Sequence, residues 1–185
     1  RSHFDDVLNA GLLLAWLALR QGDGVALAAH GGPSRWVKSQ RGMGHLDTLL
    51  RAAHDLHPEP VATDYLAAAS ELSVRQRRRS LVVVLTNVRD EDSDELLAAV
   101  QLLKRRHLVC VASLREQVLE QMLDADANNP RWALEAAAAA RYLDQRGQIH
   151  DALRSHGVDV LDVTAQALPA ALVNHYLAIK RAGRL

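Results

Sequence analysis

Apolar side chains change their spacing repeatedly along this chain, and those changes divide it into helices and strands. Phe4, Val7, Leu8, Gly11, Leu12, Ala15, Trp16 and Leu19 recur every three or four residues. That is the period of one helix face, and it predicts an amphipathic helix ending near Gln21 and Gly22. Asp23 and Gly24 then turn the chain into a short apolar strand over Val25 to Ala29. A second strand over Arg35 to Ser39 is expected after the Gly31-Gly32-Pro33 turn. Leu46, Leu49, Leu50, Ala53 and Leu56 mark a helix closed by Pro58 and Pro60, and Thr63 is placed to cap a further helix running toward Arg79.

Leu81 to Leu85 is an unbroken branched apolar run, the pattern of a central parallel strand covered on both faces. Ser93 can cap a helix carrying Leu96, Leu97, Val100 and Leu103, and Leu108 to Ala112 supplies the next strand. An alanine-rich helix from Pro130 to Leu153, a strand over Val158 to Val163 and a closing helix faced by Leu168, Leu172, Val173, Tyr176, Leu177 and Ile179 complete the alternation. Strands alternating with helices imply an α/β fold, a doubly wound and mostly parallel sheet with helices on both faces and right-handed crossovers.

Charge supports that orientation independently. The basic clusters Arg75 to Arg79 and Lys104 to His107 end helices just before strands, whereas Arg89-Asp90-Glu91-Asp92 and Asp94-Glu95 follow a strand and open a helix. Each sign complements the helix dipole. A basic lower edge and a more acidic upper edge are expected, the upper one lying beyond the carboxyl ends of the strands, where doubly wound sheets place ligands.

Length and composition narrow the picture. With 185 residues, 49% of them hydrophobic, the chain suits a single domain over 1–185. Its 22 basic and 22 acidic residues cancel, so the net charge gives no pull toward nucleic acid or a membrane, and any binding must come from local patches. The one cysteine, Cys110, sits in an apolar strand, which removes disulfide frameworks and thiolate metal sites. No apolar run approaches the roughly 20 residues needed to cross a bilayer. The chain opens at Arg1 on a helical pattern, so it reads as a fragment whose parent could carry a membrane anchor elsewhere.

Candidate chemistry is sparse. The Arg75 to Arg79 run has no interleaved aromatic residues and reads as a solvated helix end rather than a nucleic-acid site. His30-Gly31-Gly32 follows a strand, yet no Gly-x-Ser-x-Gly turn accompanies it. Gly22-Asp23-Gly24 precedes its strand and cannot cradle a dinucleotide, and no phosphate-binding Gly-x-x-x-x-Gly-Lys exists. His45, His54 and His57 lack the spacing that puts two imidazoles on one helix face. The acidic stretch from Asp90 to Glu95 lacks the glycine of a calcium loop and reads as helix-start charge. More pointed is the upper-edge set Thr63, Asp64, Asn87, Arg89 and Asp90, drawn from two strand-to-helix loops. Their oxygens suit a hard cation, but the amide of Asn87 is neutral and Arg89 would repel one.

Four stretches in this order resemble a known family. They are Leu-Ala-Leu-Arg-Gln-Gly-Asp-Gly-Val-Ala-Leu (17–27), Arg-Arg-Ser-Leu-Val-Val-Val-Leu-Thr-Asn-Val-Arg-Asp-Glu-Asp (78–92), Arg-Arg-His-Leu-Val-Cys-Val-Ala-Ser-Leu-Arg-Glu (105–116) and Ala-Leu-Val-Asn-His-Tyr-Leu-Ala-Ile-Lys-Arg-Ala-Gly-Arg-Leu (171–185). Together they resemble the von Willebrand factor A-like domain of the family catalogued as domain of unknown function 58. The resemblance implies a metal-ion-dependent adhesion site at the upper edge where the ligands are present. Thr63 resembles its threonine and Asn87 falls where its aspartate would be, so the site is expected to be degenerate. The Asp-x-Ser-x-Ser turn after the first strand would precede Arg1, and weak magnesium binding would need that turn to be supplied.

By the same resemblance the first strand is central, between Val25 to Ala29 and Leu81 to Leu85. Its absence from this segment leaves a slot for sequence from the parent protein or, through strand exchange, from a second copy in a homo-oligomer, unless the two flanking strands close up and pair directly. The family is commonly encoded beside MoxR-type AAA+ ATPases and is thought to act with them in protein assembly or maturation. The resulting expectation is a non-enzymatic interaction module on the cytoplasmic side of a bacterial membrane, binding such an ATPase or its client through Thr63, Asp64, Asn87, Arg89 and Asp90. It has no catalytic residues, no cofactor, no nucleic-acid partner and no membrane contact by this segment. A hydrolase or phosphoryl-transfer enzyme on a similar scaffold, and a purely structural domain of a membrane protein, stay open as alternatives.

Overall fold

The computed structural model describes residues 3–59, 61–87, 93–115 and 130–185. Its elements run α1 (His3–Arg20), β1 (Val25–Ala29), β2 (Arg35–Gln40), α2 (His45–His54), α3 (Tyr65–Arg75), β3 (Leu81–Thr86), α4 (Ser93–Lys104), β4 (Leu108–Arg115), α5 (Pro130–Ser155), β5 (Asp159–Thr164) and α6 (Leu168–Arg181). The fold is mixed α/β. Asp5 and Asp6 open α1 and Arg20 closes it, matching its dipole. Gly22 ends it at φ 81°, where the Asp23 amide donates to the Ala18 carbonyl and the Gly22 amide to that of Leu19. This paired closure needs a left-handed residue, which glycine supplies without a β-carbon clash.

Two separate hydrogen-bonded ladders form among the described residues. β1 pairs antiparallel with β2, with Val25 opposite Gln40 and Ala29 opposite Arg35. β3, β4 and β5 form a parallel sheet in that order, with Leu81 beside Leu108 and Cys110 beside Asp159. Alternate β3 residues point to opposite faces of this sheet, as the pleat requires. Val82 and Val84 join Tyr65 and Ala69 of α3, Leu96 and Val100 of α4, and Ile149 and Leu153 of α5. Val83 and Leu85 pack instead with Ala10 of α1 and Leu168 and Leu172 of α6.

The two ladders share helices although they share no strand pairing. Further along α1, Ala15 and Leu19 pack with Leu49 of α2 and with Val25, Leu27 and Val37 of the β1–β2 hairpin. On the other side α3 reaches both units: the Tyr65 hydroxyl lies 2.7 Å from Thr86 Oγ1 of β3, and the Arg75 guanidinium stacks 5.5 Å over the Trp36 ring of β2. A β-carbon at Gly31, just past β1, would lie 2.8 Å from Thr63 Oγ1, just before α3. Gly31, just past β1, and Thr86, at the end of β3, therefore both meet the start of α3.

Several sequence expectations shift. β3, the most apolar strand, lies at the edge of the parallel sheet with every residue only half-buried, and β4 is its centre, buried from Val109 to Leu114. The reason is that, among the described residues, β3 has a strand neighbour on one side only. Asp64 rather than Thr63 caps α3, its Oδ1 accepting from the Ala67 amide at 2.7 Å. That helix stops at Arg75 rather than Arg79, where the Gln76 side chain donates to Ser80 Oγ at 2.8 Å and folds the following loop on itself.

Candidate functional site

The upper edge, where β3, β4 and β5 end, is organised by a side chain of α5. Arg146, 3% exposed, donates through Nη1 to Asn87 Oδ1 at 3.2 Å and through Nη2 to the Leu114 carbonyl at 2.7 Å and Asp162 Oδ1 at 2.9 Å. One planar guanidinium thus ties together the ends of all three parallel strands, a use that suits its rigid fork of donors. His150, one helical turn further along α5, places Nδ1 3.6 Å from Asp162 Oδ2. Burial pushes its pKa down; Asp162 opposes that shift, while Arg146 adds to it. The imidazole is held neutral, and the ion pair belongs to Arg146 and Asp162.

This arrangement accounts for Asn87. Its amide oxygen faces a fixed cationic group and is engaged by the protein's own guanidinium. Asp64 is likewise committed as the α3 cap, and the α3 start is further closed by Glu95 of α4, which accepts from the Leu66 amide at 3.1 Å. Thr63 lies on the same edge, against Gly31. The structure therefore gathers Thr63, Asp64 and Asn87 around the Tyr65–Thr86 contact, while Arg89 and Asp90 lie outside the described residues. Among the described residues no three His, Cys, Asp or Glu side chains are grouped to hold a metal.

Other candidates take structural places. His45 is buried and its Nε2 donates to the Val25 carbonyl at 2.9 Å, pinning α2 to β1. His30 lies 3.9 Å from Glu71 of α3, and His54 and His57 are exposed. Burial pushes the Cys110 thiol up to about 12, with Asp159 adding to the shift, so it is an inert core group. Asp23, in the turn after α1, accepts from the Tyr176 hydroxyl at 2.5 Å and from Lys180 Nζ at 2.8 Å.

Sequence reasoning missed Arg146, His150 and Asp162. Arg146 sits in a helix whose alanines hide its amphipathic period, so it reads as solvated charge. Asp162 did leave a signal, because it interrupts the apolar run Val160-Leu161-Asp162-Val163, and a carboxylate in a strand covered on both faces calls for a buried partner. Set against known families, residues 2–152 match the model described as Protein of unknown function DUF58. No curated protein and no solved structure matches the chain. The family match spans well over half of the sequence, and the chain belongs to the DUF58 family.

Proposed function

From that membership we propose that the chain is a non-enzymatic interaction module of von Willebrand factor A type, docking a MoxR-type AAA+ ATPase or its client through its upper edge. The observation that carries this reading is the Arg146 link, because it fixes Asn87 of the upper edge against the strand ends. A side chain held in place before binding has less entropy to lose on association. Thr63 and Asn87 are read as the remnants of an adhesion site whose cation has been replaced by a guanidinium. β1 and β3, each paired on one side only among the described residues and both packed on α1, fit a sheet whose central strand runs between them. Such a domain works on the cytoplasmic side, with its parent held at a membrane.

Affinity capture from the source cell with the tagged chain tests the reading. The ATPase should be recovered, it should be lost with Arg89→Glu, and it should be retained with Arg78→Glu. Loss with Arg78→Glu alone would move the contact to the opposite edge, and recovery of no ATPase by any variant would refute the adaptor role.

A further inference from the structure

The lower edge gathers positive charge that the sequence keeps in separate places. β3, β4 and β5 are parallel, so the loops entering them share one edge, and that edge collects Arg77, Arg78 and Arg79 before β3 with Arg105 and Arg106 before β4. All five are exposed. The loops are physically adjacent, since Arg106 Nη1 reaches the Ser73 carbonyl at 3.5 Å and Lys104 Nζ donates to the His156 carbonyl after α5. The end of α6 joins them, because Lys180 and Tyr176 both bond Asp23 below β1, and this brings the exposed Arg181 to the same edge.

Carboxylates of this edge are largely occupied within the protein. Asp23 is held by Lys180, Asp159 by His175 and Arg184, and Asp151 by Arg154. Among the described residues the five loop arginines have no such ion-pair partner. Because the whole chain is neutral, the excess below is balanced by acids above, at Asp5, Asp6, Asp64, Asp94 and Glu95 around the helix starts. A neutral molecule divided in this way is oriented by a charged plane although it has no net attraction to one.

One exposed apolar side chain stands among the arginines. Val74, next to the α3 end and to Ser73, whose carbonyl Arg106 reaches, is 68% exposed. Single-stranded nucleic acid is held on aromatic platforms, and duplex DNA is read by an element laid in a groove. The lower edge offers helix ends and entry loops instead, with an aliphatic side chain between the charges. Basic side chains with apolar groups between them are what an anionic bilayer surface recruits.

We infer that the lower edge, centred on Arg77, Arg78, Arg79, Arg105 and Arg106, docks on an anionic phospholipid surface, with Val74 entering the headgroup layer. The upper edge then faces away from the membrane, toward soluble partners. This goes beyond the adaptor reading, does not depend on the ATPase, and reverses the sequence expectation that this segment makes no membrane contact.

Co-sedimentation of the full chain with vesicles tests it. Binding is expected to vesicles of equal parts phosphatidylcholine and phosphatidylglycerol, not to phosphatidylcholine alone, and should fall as salt rises. Each exposed arginine near the surface contributes about a five-fold factor in partitioning, so Arg78→Glu should weaken binding by at least that much. Arg141→Glu, an equal change of charge on the exposed face of α5, should leave it unchanged, and Val74→Asp should weaken it with every arginine intact. Unchanged circular dichroism identifies folded variants, and Arg77→Gln with Arg79→Gln provides a second folded pair. Absent vesicle binding, equal binding to neutral vesicles, equal losses with Arg78→Glu and Arg141→Glu, or binding to duplex DNA without binding to vesicles would each overturn the inference.

Discussion

β3 and β4 are neighbours with similar sequences and different surroundings. β3 reads Leu-Val-Val-Val-Leu-Thr and is half-buried throughout, whereas β4 reads Leu-Val-Cys-Val-Ala-Ser over the paired positions and is buried from Val109 onward. The more apolar strand is thus the less buried one. Apolar content states what a strand can bury, and its neighbours decide what it does bury. β4 has β3 on one side and β5 on the other, while among the described residues β3 pairs only with β4. A strand composed for a central place, yet with one open edge, is the main structural signature of this domain.

The largest effect expected from breaking this comparison comes at Arg146, which binds the end of β3 to those of β4 and β5. Arg146→Met leaves Asp162 without its cation and frees Asn87, and loss of one partner of a buried ion pair costs about 3 kcal/mol. Urea unfolding should record that loss, and Arg146→Met combined with Asp162→Leu should recover part of it. A change near zero would mean that the strand ends are held together by packing alone.

A smaller effect separates the strands directly. Val111→Ala, at a site with no exposure in β4, should cost about 2 kcal/mol, and Val83→Ala in β3 about half as much, because part of the Val83 surface is already in water. Equal losses would erase the distinction drawn here.

Acid gives the smallest contrast. His107, at the entry to β4, is buried, and burial followed by the Arg106 charge pushes its pKa below the ordinary 6.5; burial does the same to His150. The unfolded chain therefore takes up protons first. Stability is full above pH 6.5 and declines as pH falls from there through the lower folded-state pKa values. His107→Leu should reduce that slope in denaturation midpoints measured from neutral pH downward. An unaltered slope would show that His107 takes no part in it.

Much of the architecture was legible because branched apolar runs and three- and four-residue periods are local signals, and β1, β3, β4 and α4 lie close to where those signals put them. The identity of the central described strand was not legible, since it depends on which edges find partners, and the run from Val82 to Leu85 cannot report that. At the candidate site, Thr63, Asp64 and Asn87 were readable as polar residues of two upper loops. Their engagement was not, because Arg146 comes from a helix 59 residues beyond Asn87, and its alanine neighbours gave no sign of which side faced the sheet. The charge grouping of the lower edge was visible as helix-end clusters; their convergence followed only from the parallel pairing of β3, β4 and β5.

The central claim, an open second edge on β3, is tested most directly by amide hydrogen exchange along β3 and β4 in the dilute monomer. In a parallel strand the backbone amides of successive residues point to opposite sides. Every second amide from Leu81 to Thr86 should therefore exchange rapidly while those of β4 are protected without alternation. Uniform protection along β3 in that monomer would mean that its second edge is paired, and would contradict the account.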